Sequence, residues 1–177
     1  MFIATGILFN HESERRPLHF VTQKIAYGAA CAALGINDSP DLNERGRPIV
    51  EHGRLALGNL EVARDWGHAR DFVRAMWLIL QQAEADDFVV GTGIVHTLRD
   101  LCDAAYAHVG LDWREHVVSD PALVRPLETG RTVANPVPAA TPATASAIAP
   151  VSTKPAGATP RVLASRAVTS RCRPGSS

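Results

Sequence analysis

Acidic residues are missing from the end of this chain: none follows Glu128, whereas Arg131, Lys154, Arg161, Arg166, Arg171 and Arg173 do. The 177 residues balance 18 basic against 18 acidic side chains, so residues 1–128 are net acidic and the remainder is basic. Aromatic residues stop at Trp113. The three cysteines, Cys31, Cys102 and Cys172, are odd in number, far apart and form no CxxC pair. That excludes a disulfide framework and fits buried or free thiols in a reducing compartment. No apolar run approaches the ~18 residues of a membrane helix. The opening "MFIATGILF" lacks a basic leader region and a small-residue cleavage site. A soluble, cytoplasmic protein is expected.

Hydrophobic patterning gives an α/β alternation. Residues 2–9, "FIATGILF", suit a buried strand, one with no preceding element to pair with. Residues 19–34 form an Ala-rich helix pattern with Phe20, Ile25, Ala29 and Ala32 on one face and Gly35 as its stop. Residues 36–48 are turn-forming, and "IVEHGRLAL" predicts two short strands around His52-Gly53. The strongest helix pattern covers 67–83, where Phe72, Val73, Met76, Trp77, Ile79 and Leu80 gather on one broad apolar face. A strand is expected at 88–93 and a helix at 97–110, with Thr97 as N-cap and Gly110 as stop. From Thr129 onward the chain is Ala, Pro, Ser, Thr and Val, with seven prolines and no aromatic residue. Such a segment buries too little apolar area to offset its ordering entropy, so 129–177 is expected to be a disordered tail behind a folded region at 1–128.

Motif reading excludes several chemistries. "GTGIVH" (91–96) puts His96 where a dinucleotide fingerprint needs its third glycine, and it reads as a plain strand-to-helix turn. There is no other glycine fingerprint and no P-loop. His11-Glu12 is not completed to HExxH, and no His/Cys group has metal-ligand spacing. The tail's six charges have no aromatic interleaving, so no nucleic-acid surface is expected. Two segments remain. In "ARDWGHARDF" (63–72), Arg64 stands just before the best helix, as a phosphate-holding guanidinium or as half of an Arg64–Asp65 surface pair. In "FNHESERR" (9–16) an apolar strand gives way to Asn10, His11, Arg15 and Arg16, with Lys24 beyond. The C-terminal end of an α/β strand is where ligands bind in open sheets, and these donors favour a polyanion.

The stretches "GILFNHES", "FVTQKI", "LGNLEVARDWGHARDFVRAMWLILQQ", "HVGLDW" and "RPLE" together resemble the GDP-mannose 4,6-dehydratase family, a group of extended short-chain dehydrogenases/reductases. The resemblance runs in family order over residues 6–128. It implies a partial Rossmann-type fold: the last part of a cofactor domain plus a small α/β substrate domain. It also implies NADP as cofactor, GDP-mannose or a related GDP-sugar as ligand, and homo-oligomers. By the same resemblance His11 and Arg16 match cofactor-binding positions. Asn10, Thr22, Lys24, Arg64, Arg125 and Glu128 match positions that hold the GDP-sugar. Lys and Arg suit a diphosphate, and Glu128 suits ribose hydroxyls.

The family's glycine-rich loop and Tyr-x-x-x-Lys pair fall ahead of Met1. Tyr27 and Tyr106 are followed four residues later by Cys31 and Gly110, so neither restores the pair that takes the sugar-hydroxyl proton. Residues 36–54 lengthen the family's usual connection, and after "RPLE" the stretch "TGRTVANPVPAA" replaces the family's continuation. The expected function is therefore GDP-sugar binding by a dehydratase fragment that is inactive alone. A non-catalytic nucleotide-sugar-binding module and an interaction protein are the alternatives.

Overall fold

The computed structural model describes residues 1–43, 45–124 and 131–134. Among them nine short strands and three α-helices alternate along the chain, so the expected α/β class holds. The residues divide into two compact units. The chain leaves the first at Ser13, builds Glu14–Val62 of the second, returns for Ala63–His96, and continues the second from Thr97.

In the first unit, β1 (Thr5–Leu8) pairs in parallel with β6 (Asp87–Val90). A separate sheet takes β2 (Asn10–Glu12), β5 (Ala63–His68) and β7 (Val95–Thr97) in that order, with β9 (Arg131–Thr132) also on β5. Helix α2 (Ala69–Ile79) packs Phe72, Ala75 and Ile79 onto Val90, with Ala4, Leu8, Phe9 and Phe88 around them. Buried Phe72, Ile79 and Val90 each contribute roughly 1.5–3 kcal/mol.

Four sequence expectations are corrected here. The strand at 2–9 is shorter, and its polar sequel Asn10–Glu12 is itself a strand, held by β5. Helix α2 starts at Ala69, because Gly67 and His68 belong to β5 and the His68 ring accepts from the Arg70 amide. Its apolar face is wider than its cover: Val73, Trp77 and Leu80 are exposed. The turn after β6 leads into β7 before any helix begins.

The second unit stacks α1 (Val21–Ala33) on α3 (Leu98–His108) and on a sheet of β3 (Val50–Glu51), β4 (Arg54–Leu57) and β8 (Val117–Ser119). Gly28 permits the close approach, since a Cβ there would lie 2.8 Å from Leu55 and 2.9 Å from the Tyr106 hydroxyl. Helix α3 carries the expected Thr97 cap as a full capping box with Asp100, and Gly110 turns out of it at φ 76°. Cys31 and Cys102 are buried free thiols, as expected; Cys172 lies outside the described residues. The expected strand pair around His52-Gly53 is an antiparallel hairpin with both turn residues at positive φ, 51° and 73°. Gly53→Ala should cost about 1 kcal/mol, because the alanine Cβ is strained at that φ and meets Asn37 Oδ1 at 3.1 Å. Equilibrium denaturation of the two proteins measures it.

The tail expectation is corrected at 131–134: β9 pairs with β5 in parallel, and Ala134 is buried. The rest of the proposed tail, 135–177, lies outside the described residues.

Candidate functional site

The first unit carries Asn10, His11 and Arg64. Asn10 and His11 stand on β2 opposite Trp66 and Gly67 of β5, and Arg64 lies two residues earlier on that same neighbouring strand. Asn10 is exposed; His11 and Arg64 are half-buried. The His11 ring is fixed from two sides. Its Nδ1 lies 2.8 Å from the Phe9 carbonyl oxygen, which can only accept, so Nδ1 carries a hydrogen and donates it. The ring also stacks on Phe72 at 4.7 Å between centroids. Gly67 makes room for that ring pair, since a Cβ there would come within 2.4 Å of Phe72.

Arg64 is in neither of its two expected settings. It lies within β5 rather than at a helix entrance, and its guanidinium donates to the Ala63 carbonyl at 3.0 Å. Asp65 does not form a surface pair with it. Strand alternation turns Asp65 inward, where it is fully buried. Its Oδ1 accepts from the Thr92 amide at 3.0 Å and the Thr92 hydroxyl at 2.6 Å. Its Oδ2 accepts from the Gly93 amide at 2.8 Å and the Ala134 amide at 3.2 Å. One carboxylate thus ties β5 to the turn after β6 and to the segment after β9. Gly91 lets these strands close, as a Cβ there would be 2.3 Å from that of Ala134. Sequence reading missed this clamp: the signal was a lone acid among inward-facing Ala63 and Gly67, and its partners lie 27 and 69 residues downstream.

The second unit carries Arg16, Thr22 and Lys24, gathered about the start of α1. The Arg16 guanidinium lies 3.6 Å above the Phe20 ring. Phe20 is the N-cap of α1 and supplies no side-chain cap, and the first turn holds no acidic residue. The other two α-helices are capped by His68 and Thr97 and carry Asp71 and Asp100 in their first turns. The positive end of the α1 dipole is therefore reinforced by cations, an arrangement that suits an anion. Arg125 and Glu128 lie outside the described residues.

Tyr27 and Tyr106 are shut away from this surface. The Tyr27 hydroxyl donates to Asp41 at 3.0 Å. Tyr106 is buried beside the α1 backbone, and its hydroxyl has no hydrogen-bond partner among the described residues. Burial, with the neighbouring thiols, raises the Tyr106 pKa above the usual phenol range, so neither tyrosine is placed as an exposed acid–base group.

Comparison with known proteins identifies the lineage of these features. A GDP-mannose 4,6 dehydratase from Arabidopsis thaliana is 41% identical over 128 residues, covering 72% of this chain and 31% of that protein. The human GDP-mannose 4,6 dehydratase is 44% identical over 110 residues, covering 62% of this chain and 26% of that one. The chain thus spans under a third of the length of these relatives. Among solved structures, RMD from Pseudomonas aeruginosa complexed with NADPH shares the fold, with a TM-score of 0.59 at 21% identity over 74% of this chain and 38% of that one. This likeness supports the expected partial Rossmann-type fold. The sequence model of the GDP-mannose 4,6 dehydratase family matches residues 1–141, past the point at which the family pattern was expected to end, and the chain belongs to that family.

Proposed function

We propose that this chain is a GDP-sugar-binding portion of a GDP-mannose 4,6-dehydratase and that it does not turn over substrate by itself. The observation that carries the reading is the start of α1, an uncapped helix N-terminus without acidic residues, flanked by Arg16, Thr22 and Lys24. A diphosphate suits such a site: helix dipole and cations both favour its charge. In this reading Lys24 neutralises the diphosphate and Thr22 adds a neutral hydrogen bond, while Asn10, Arg64, Arg125 and Glu128 match positions at which the family holds its GDP-sugar. GDP-mannose is the substrate and water is lost from its hexose in the complete enzyme. The curated relatives, by name, act on GDP-mannose.

NADP enters by the same kinship, and a structural neighbour binds NADPH. The fit is poor: His11 and Arg16 are the two family contacts within these 177 residues, which contain neither the glycine-rich loop nor Tyr-x-x-x-Lys. No hydride step is therefore assigned to this chain.

Calorimetric titration tests the reading. GDP-mannose should bind weakly, more tightly than NADP, and less well as salt rises. Lys24→Ala and Arg64→Ala should each remove about 1.5–3 kcal/mol of binding if each loses one charge-assisted bond. Mixing the chain with GDP-mannose and NADP should give no dehydration product. Tighter binding of NADP than of GDP-mannose would reverse the assignment of the site, and reproducible turnover would refute the claim of inactivity.

A further inference from the structure

Helix α2 has a second apolar stripe, left open by the described residues. Phe72, Ala75 and Ile79 point to the core, whereas Val73, Trp77 and Leu80 are 61%, 60% and 62% exposed. At about 100° per residue, Val73 and Leu80 stand within about 60° of Trp77, on the side of the helix away from the core. Arg70, Val73, Trp77 and Leu80 follow the three-four-three spacing of a helix-pairing seam. A tryptophan at the centre of such a seam is the kind of anchor that interfaces bury.

The charges around the stripe are sorted by end. Arg70 and Arg74 flank its start, and Glu84, Asp86 and Asp87 follow its end, all five exposed. None of the five forms an ion pair among the described residues. Asp71, the acid of the first turn, lies about 120° round the helix from Trp77 and so off this face. An apolar centre with one basic and one acidic end is complementary to its own image turned end for end, which is what a two-fold contact requires. Parallel pairing would set like charge against like.

We infer that the outer face of α2 is a contact between two copies of this chain, whose helices pair antiparallel across Trp77. Val73 of one copy then packs toward Leu80 of the other, and Arg70 and Arg74 meet the other copy's acidic exit from the helix. A second copy matches both ends at once by symmetry, which an unrelated protein does not. Three apolar side chains and the arginine stems fall well short of the ~800 Å² per partner of a standard interface, so the association is weak, on the order of 10 µM.

Sedimentation velocity on the 177-residue chain, from about 1 to about 200 µM, should show monomer giving way to dimer. No nucleotide is added, so the outcome is independent of the GDP-sugar titration. Trp77→Lys, at an exposed position, should weaken the dimer about tenfold or more with far-UV dichroism unchanged. Association through any other surface would survive it. The charges give a second test. Arg70→Glu with Arg74→Glu makes both ends acidic, and Glu84→Lys with Asp87→Lys makes both net basic. Each double variant alone should be monomeric, and a one-to-one mixture of the two should restore the dimer. A monomer at about 200 µM, a dimer undiminished in Trp77→Lys, or a mixture that fails to associate would each overturn the inference.

Discussion

Replacing Asp65 by alanine is expected to remove about 3–5 kcal/mol of folding stability. The wild-type carboxylate accepts four hydrogen bonds in a site closed to solvent, three from backbone amides and one from the Thr92 hydroxyl. Hydrogen bonds to a charged group contribute roughly 1.5–3 kcal/mol each and are not additive, while a buried donor left without a partner carries its own desolvation penalty. Because domains are stable by only about 5–15 kcal/mol, the substitution consumes a large part of the total. Asp65→Asn should also lose roughly 2 kcal/mol or more, since its amide nitrogen would face amide donors. Urea unfolding measures both. A loss under about 1 kcal/mol for Asp65→Ala would show that solvent reaches those donors and the clamp is not a buried one.

The second large effect is alkaline. Burial pushes the Cys102 thiol up to about 12, with the nearby Asp103 charge adding to it. Burial likewise raises Tyr106, helped by Cys102 and Cys31. Both groups are neutral in the folded state and hold their protons more tightly there than in the unfolded chain. Their contribution is therefore fully present below the unfolded thiol and phenol values, near 9 and 10, and is lost as pH rises toward the folded values. A three-unit difference at Cys102 corresponds to roughly 4 kcal/mol by pH 12. Stability measured at pH 8, 10 and 11.5 should fall steeply over the upper half of that range. Cys102→Ala should be less stable at pH 8 but lose less on going to 11.5. A flat profile between pH 9 and 11.5 would mean that water reaches the thiol.

Where an element's identity is local, the residues announce it. Thr97 and Asp100 specify the start of α3, and Gly110 its end, through short-range hydrogen bonds and backbone geometry. His52-Gly53 does the same for the hairpin. Strand β5 was illegible because Arg-Asp-Trp-Gly-His carries no apolar alternation. What makes it a strand is the company of β2, β7 and β9. The exposed Val73 and Trp77 show the same limit from the other side, because periodicity marks an apolar stripe without saying how much of it is covered. Asn10, His11 and Arg64 in the first unit, and Arg16, Thr22 and Lys24 in the second, were assigned as contacts by the resemblance alone; of these, only Thr22 and Lys24 gain a physical setting, at the bare start of α1. Asp65 was invisible because its partners are distant in sequence.

That distance sets a timetable for the growing chain. Asp65 leaves the ribosome 69 residues before Ala134, its last partner. At about 5–20 residues per second, the carboxylate waits roughly 3–14 seconds for it. During that interval β5 is without β9, and the first unit is unfinished while α3, with its own capping box, is already made. Nascent α3 should therefore precede the first unit in folding. The interval between them is when the edge of β5 that β9 will cover is most open to chaperones and to aggregation.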